Sequence, residues 1–187
     1  MKKKLLFSSI FFFIILFQIW CHPHIFIEPG ITVRQSDSGI TGFGIQWTWD
    51  KKWSYGVLQN CDLNSDGFFT DEETDLVFRD FFIELRDFDF FTKIIINGKG
   101  RKIERIEDFN VSLNKDQQVV YRFFIPLLFD LENEAEILII FNDDDLTAAF
   151  LQKTPRLRTP GPGRIIDKKT GRYDHFGIKT EFTVERD

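Results

Sequence analysis

The chain has 187 residues, a formal net charge of −5 at neutral pH and 23 phenylalanines. An acidic chain lacks the basic surface that binds phosphate backbones, so nucleic acid is excluded as the expected partner. The length beyond the N-terminal segment suits one domain, and the phenylalanines predict an aromatic core.

Residues 1–21 have the pattern of a signal segment. Lys2, Lys3 and Lys4 give it a charged start, and residues 5–20 form an apolar run shorter than the roughly 20 residues of a typical membrane span. We therefore expect export to the periplasm or cell envelope, with a retained membrane anchor as the alternative.

The end of this segment allows two processing routes. Cleavage after Cys21 would leave His22 as the new N-terminus, whereas lipid attachment at Cys21 would give membrane association. Either route leaves Cys61 without a disulfide partner, because the chain has only two cysteines. We expect Cys61 to be a buried free thiol, with a soft metal ligand as the alternative.

Two strands and two helices are predicted next. Apolar alternation over residues 25–49, interrupted by the turn at 36–39, predicts a β-hairpin. Residues 51–61 predict a short helix. Residues 71 to about 87 predict a longer one, because apolar side chains recur there at three- and four-residue steps.

The segment between these helices, residues 62–73, has the sequence of an EF-hand calcium loop. Its expected calcium ligands are Asp62, Asn64, Asp66, the backbone carbonyl of Phe68, Thr70 and Glu73. Gly67 occupies the sharp-turn position. The alternative is a metal-free turn rich in Asp and Asn, because Thr70 and Glu73 also form a capping box before an apolar run.

The pattern after residue 90 is again β. Strands are predicted at 92–96, 102–106, 111–113, 118–125, 135–141, 146–151 and 177–185. Asn97-Gly98 predicts a hairpin turn between the first two. Residues 22–187 are therefore expected to form one α+β, mostly β domain, an antiparallel β-sandwich with an inserted helix–calcium loop–helix at about 51–88.

The segment 153–175 is rich in proline, glycine and basic residues. This segment contains seven lysines and arginines but only two acidic residues, Asp167 and Asp174. A long solvated loop is the first interpretation. A docking surface for an acidic partner or for lipid head groups is the alternative.

The tripeptide His22-Pro23-His24 is a candidate transition-metal site. Imidazole and a free terminal amine suit zinc, nickel or copper. Pro23 has no N–H, which excludes binding through a deprotonated amide at the second position. Other ligands would have to come from distant residues, and the candidates are Asp143, Asp144, Asp145 and His175. The alternatives are the start of a strand for the first two histidines, an acidic turn at 142–145, and a surface or packing role for His175.

The opening His22-Pro23-His24-Ile25-Phe26-Ile27 behind a signal segment resembles a bacterial exported family catalogued as domain of unknown function 1007. The resemblance extends through residues 47–50, the acidic loop and residues 88–91 to about residue 150. That family is described as the periplasmic component of an uncharacterised ABC-type transport system. Its association with nickel- or zinc-type exporters and permeases implies divalent-metal handling. Cys21 and the segment after Leu151 depart from the family pattern.

The expected function is therefore a non-enzymatic accessory or solute-binding component of a membrane metal transporter or permease. It would bind a transition metal through His22 and His24, with Asp143 and Asp145 as further ligands, and would hold a structural calcium ion. A calcium-stabilised adhesion or scaffold module without transition metal is the main alternative. A copper oxidase or monooxygenase is a third, and it requires His22 to be the mature N-terminus. No convincing nucleophile pattern accompanies the three histidines.

Overall fold

The computed structural model describes residues 23–145, 147–151, 157–158 and 160–186. The predictions for residues 1–21 and for His22 lie outside these ranges. No helix in the described ranges is long and apolar enough to cross a membrane.

Strands make up most of the structure. They are β1 Ile25–Ser36, β2 Gly39–Trp49, β3 Thr92–Ile96, β4 Lys99–Arg101, β5 Glu107–Leu113, β6 Val119–Asp130, β7 Glu134–Phe141, β8 Ala148–Phe150, β9 Leu157–Arg158, β10 Gly163–Tyr173 and β11 Gly177–Arg186. The helical elements are α1 Lys51–Cys61, α2 Asp71–Val77, a π-helical segment Phe78–Phe82 and a 3-10 segment Ile83–Phe91.

The strands form two sheets over one apolar core. The first has the order β5-β6-β2-β1-β8, with β9 also paired to β1, and the second has the order β10-β11-β7-β3-β4. Pairing is antiparallel except that β8 and β9 run parallel to β1. The mostly β fold with antiparallel sheets is thus confirmed, and the parallel edge of the first sheet was not predicted.

The core lies between the inward faces of the sheets. Strands β1, β2 and β6 alternate, so that Ile27, Trp47 and Phe123 point inward and are buried. Phe141 comes from β7 of the second sheet and is also fully buried. The two-residue period of the strands therefore places one apolar face of each sheet against the other.

The helical elements are attached to the first sheet by Asp50. This residue caps α1, since its Oδ1 accepts hydrogen bonds from Lys52 N at 2.8 Å and Trp53 N at 2.9 Å. Its Oδ2 accepts from Phe26 N of β1 at 2.6 Å. One carboxylate thereby starts the helix and fixes it beside the beginning of the first strand.

The second predicted helix changes type along its length. It is α-helical only over α2, continues as the π-helical segment and ends in the 3-10 segment. Asp89, Phe90 and Phe91 then adopt positive φ values of 50°, 49° and 48°. Left-handed backbone costs a non-glycine residue roughly 1–2 kcal/mol, and the burial of Phe90 and Phe91 offsets that cost.

Two other predictions are corrected. The hairpin partner of β3 is β4, not residues 102–106, because the tight turn at Asn97-Gly98 leaves room for pairing only directly after it. The segment 153–175 is not one loop, because most of it forms β9 and β10. Strand β10 pairs with β11 at the edge of the second sheet, and a bulge at Asp167 interrupts the pairing.

Candidate metal centre

The loop between α1 and α2 is a tight turn built by its own side chains. Asp62 Oδ1 accepts from Asp66 N at 3.2 Å, and Asp62 Oδ2 accepts from Gly67 N at 3.0 Å. Gly67 has φ +78°, and a side chain there would meet no neighbouring atom within 4 Å. Glycine is thus required by backbone conformation and not by crowding, as at the sixth position of an EF-hand loop.

Asn64 and Asp66 continue the same pattern. Asn64 Oδ1 accepts from Asp66 N at 2.9 Å, and Asp66 Oδ1 accepts from Phe68 N at 2.8 Å. Asn64 Nδ2 donates to Asp66 Oδ2 at 3.0 Å. Three alternate residues therefore direct oxygen-bearing side chains toward the inside of one short turn.

Glu73 connects the two ends of the loop. It is only 3% exposed, its Oε1 accepts from Leu63 N at 2.7 Å, and its Oε2 accepts from Thr70 N at 2.9 Å. Thr70 Oγ1 accepts from Glu73 N at 3.2 Å, so the capping box is present.

The hydrogen bonds to Glu73 lower its pKa. The Thr70 backbone N–H contributes most to this shift, and the Leu63 N–H adds to it. Because the folded pKa is lowered, this carboxylate stabilises the loop at neutral pH, and the contribution is lost as the pH falls through the lowered value.

The donor set of the loop suits calcium. Carboxylate, amide and carbonyl oxygens are the ligands of hard cations, and each carboxylate oxygen that accepts one N–H retains a lone pair. Glu73 is the bidentate carboxylate expected at the twelfth position. Over the described ranges, however, no three His, Cys, Asp or Glu side chains already converge on one point. The loop therefore has the ligand chemistry and the turn, while its oxygens are engaged by its own N–H groups.

Cys61, the last residue of α1, is a buried free thiol, as predicted. Burial, with a smaller contribution from the Asp80 carboxylate, raises its pKa to about 11. The thiol therefore stays protonated at neutral pH, where soft-metal binding needs the thiolate.

His24 lies beside the turn that follows β7. Its backbone N donates to Thr147 O at 3.2 Å, and the parallel register pairs Ile25 with Ala148. His24 is exposed. The structure thus brings this histidine close to the acidic turn at 142–147, over 100 residues away in sequence.

Within that turn, Asp143 has a structural task that the sequence did not reveal. It is 2% exposed, and its Oδ2 accepts from Thr147 N at 3.0 Å, Ala148 N at 2.8 Å and Thr147 Oγ1. Its Oδ1 accepts from Asp145 N at 3.0 Å. The turn is therefore built around this carboxylate, which makes it a poor candidate for an additional ligand role.

The other candidates lie on the surface. Asp145 is exposed, and Asp144 is 3.4 Å from Lys93 Nζ in an exposed ion pair. His175 is 76% exposed, and its Nε2 lies 3.8 Å from Asp174 Oδ1. None of these contacts joins His24 to a carboxylate.

Sequence reasoning missed the role of Asp50, which joins α1 to β1. An Asp directly before a helix is a recognisable N-cap signal, so half of this role was detectable. The second half, acceptance of the Phe26 N–H from 24 residues away, depends on the sheet.

Comparison with known proteins gives two results. Residues 7–145 match the sequence profile of a family described as protein of unknown function (DUF1007). An uncharacterised 15.5 kDa protein in the trpE 3′ region of Spirochaeta aurantia is 29% identical over 88 residues. That alignment covers 47% of this chain and 62% of the relative, so the chain matches less than two thirds of the relative's length. Since the profile spans most of the chain, the protein belongs to the DUF1007 family of proteins of unknown function.

Proposed function

We propose that this protein is an exported, divalent-metal-binding accessory component of a transition-metal transporter, with a structural calcium site in loop 62–73. The observation that carries the metal-binding part is the loop itself. Its six ligand positions have oxygen donors, its turn glycine has the required conformation, and helices precede and follow it.

Calcium would act here as a tie between α1 and α2. Glu73 already links Leu63 at the start of the loop to Thr70 at its end, and a cation held by Asp62 and Glu73 would add to that link. Single sites of the extracellular type have dissociation constants on the order of 0.1–1 mM. Such a site suits a calcium-rich compartment and a structural role better than sensing.

The transition metal would bind at the His22-Pro23-His24 opening. The exposed position of His24 next to the acidic turn supports this assignment, because Asp145 is exposed on that turn. Imidazoles with a carboxylate suit zinc and nickel, and a terminal amine would favour copper as well. The family resemblance to a periplasmic transport component supports a membrane metal transporter or permease as the partner.

A calcium-stabilised scaffold without transition metal is the second candidate. The engagement of Asp143 by its own turn favours it, because one of the two predicted carboxylate ligands is occupied by backbone and Thr147 donors. Calcium binding is common to both candidates, so the histidines separate them.

The calcium assignment is tested by Glu73→Gln. The change removes the only bidentate carboxylate among the expected calcium ligands of loop 62–73. We expect the calcium affinity, measured by isothermal titration calorimetry, to fall at least about tenfold. Glu72→Gln is the matched control, because Glu72 is the exposed neighbour in the same helical turn. Unchanged calcium affinity in Glu73→Gln, or an equal loss in both variants, would contradict the assignment.

The histidine assignment is tested by elemental analysis of untagged protein exported by a native-like host. We expect near-stoichiometric zinc, nickel or copper beside calcium, and loss of the transition metal alone when His22 and His24 are both changed to Ala. The retained calcium serves as the internal control for folding. Calcium alone in the unaltered protein would select the scaffold instead.

A further inference from the structure

A cavity of about 210 Å³ lies between the start of β1, helix α1 and Phe81 of the π-helical segment. We propose that this cavity binds a small monocarboxylate with an apolar body, such as a medium-chain or monocyclic aromatic acid. This ligand site goes beyond the metal sites proposed above. Among the described residues, none of loop 62–73 or of the acidic turn lines it, and it shares only His24 with the proposed transition-metal site.

The walls of the cavity are apolar and fixed by packing. They come from Ile25, Trp53, Val57 and Phe81. The Trp53 ring stacks on Trp49 with centroids 5.0 Å apart, and meets Phe81 edge-on at 6.0 Å. These ring contacts hold Trp53 in place without a ligand, which lowers the entropic cost of binding.

The size of the cavity limits the ligand. An apolar cavity of about 150 Å³ in an engineered protein is large enough for benzene. A space of 210 Å³ thus accommodates one ring or a chain of about six carbons together with a small polar group.

Gly56 keeps the cavity open. It lies inside α1, where glycine costs roughly 0.5–1 kcal/mol relative to alanine. A Cβ atom at this position would meet nothing within 4 Å, so no crowding requires glycine, and its backbone does not have the positive φ that favours glycine. The missing side chain has one visible effect, which is free space between Trp53 and Asn60 on the cavity side of the helix.

The polar groups at the cavity select an anion. Lys52, His24 and Asn60 are the other lining residues in the described part of the chain, and none of the described lining residues is an Asp or a Glu. In the described ranges no carboxylate lies within 4.0 Å of Lys52 Nζ, although Lys52 begins the helix that walls the cavity. Lys52 is exposed at the edge of an apolar space, so its ammonium would pair with a ligand carboxylate there, whereas an amine would meet a like charge.

The test uses the full protein in buffer with calcium and without transition metal. Hexanoate and benzoate are titrated against hexanol, benzyl alcohol and hexylamine, with tryptophan fluorescence and calorimetry as readouts. We expect saturable binding of the acids, weaker binding of the alcohols and none of the amine. Lys52→Gln should bring the affinity for the acids down to that of the alcohols.

Filling the cavity provides the decisive variant. Gly56→Leu should weaken acid binding at least about tenfold while the melting temperature stays the same or rises, because leucine is the better helix former. Gly56→Ala is a smaller change that should weaken binding by less, and it serves if the leucine variant does not fold. Gln59→Leu places the same side chain at an exposed position of α1 and should leave binding intact. Equal binding in Gly56→Leu and the unaltered protein, no saturable binding of the acids, or preference for the amine would each overturn the proposal.

Discussion

Replacing Phe82 with alanine should lower the free energy of unfolding by about 3–5 kcal/mol. The side chain is fully buried, and its ring centroid lies 4.5 Å from that of Phe109, 5.0 Å from that of Phe123 and 6.0 Å from that of Trp47. The variant would lose both the burial of the ring and its aromatic contacts, and would leave a cavity that strands of the first sheet cannot fill by moving. Urea denaturation followed by tryptophan fluorescence measures the effect.

Phe68→Ala is the matched control for this prediction. Phe68 is 75% exposed, so the same truncation should change stability by no more than about 0.5 kcal/mol. Because the predicted calcium ligand at this position is the backbone carbonyl, calcium binding should also survive. A cost below about 1 kcal/mol for Phe82→Ala would mean that the π-helical segment does not pack into the core as the structure has it.

Phe82 also illustrates what the sequence could predict. A buried helix face was predictable, because apolar residues recur at helical spacing after residue 71. The change from α2 to the π-helical and 3-10 segments was not predictable. Phe78, Phe81 and Phe82 satisfy an α-helical period equally well. Their partners decide which backbone lets all three pack, and these lie on β5 and β6 for Phe78 and Phe82 and on α1 for Phe81.

The strands show the same division. The β1–β2 hairpin was predicted because alternation and a local turn determine it. Strand β10 was not predicted, because its many charged residues and its glycines are typical of a loop. It forms a strand because it pairs with β11 at the edge of the second sheet. Likewise β8 and β9 join β1 by parallel pairing, which leaves no hairpin signal between neighbouring segments.

The candidate sites also differ in whether their residues are near one another in the sequence or far apart. Loop 62–73 could be identified from sequence because its hydrogen bonds connect residues at most ten positions apart. The cavity could not, because it joins residue 24, helix α1 and Phe81 through the tertiary fold. The acidic turn was noticed as a cluster of carboxylates, but the sequence does not show which of them points inward.

Asp143→Ala should lower the free energy of unfolding by about 2–3 kcal/mol. The buried N–H of Ala148 and the partly buried N–H of Thr147 lose their acceptor, and a buried unpaired group costs about 1–3 kcal/mol. Ala148 begins β8, which pairs with Ile25, so the loss should also loosen the strand beside His24. Urea denaturation measures the stability, and hydrogen exchange at Ala148 and Ile25 measures the local effect.

Asp145→Ala separates the structural role from metal binding. Asp145 is an exposed residue of the same turn and accepts none of these hydrogen bonds, so its loss should change stability by no more than about 0.5 kcal/mol. If a transition metal binds at His24 with help from this turn, Asp145→Ala should weaken zinc binding while the fold stays intact. If instead Asp143→Ala were as stable as the unaltered protein and lost only the metal, Asp143 would be a ligand and the turn would not depend on it.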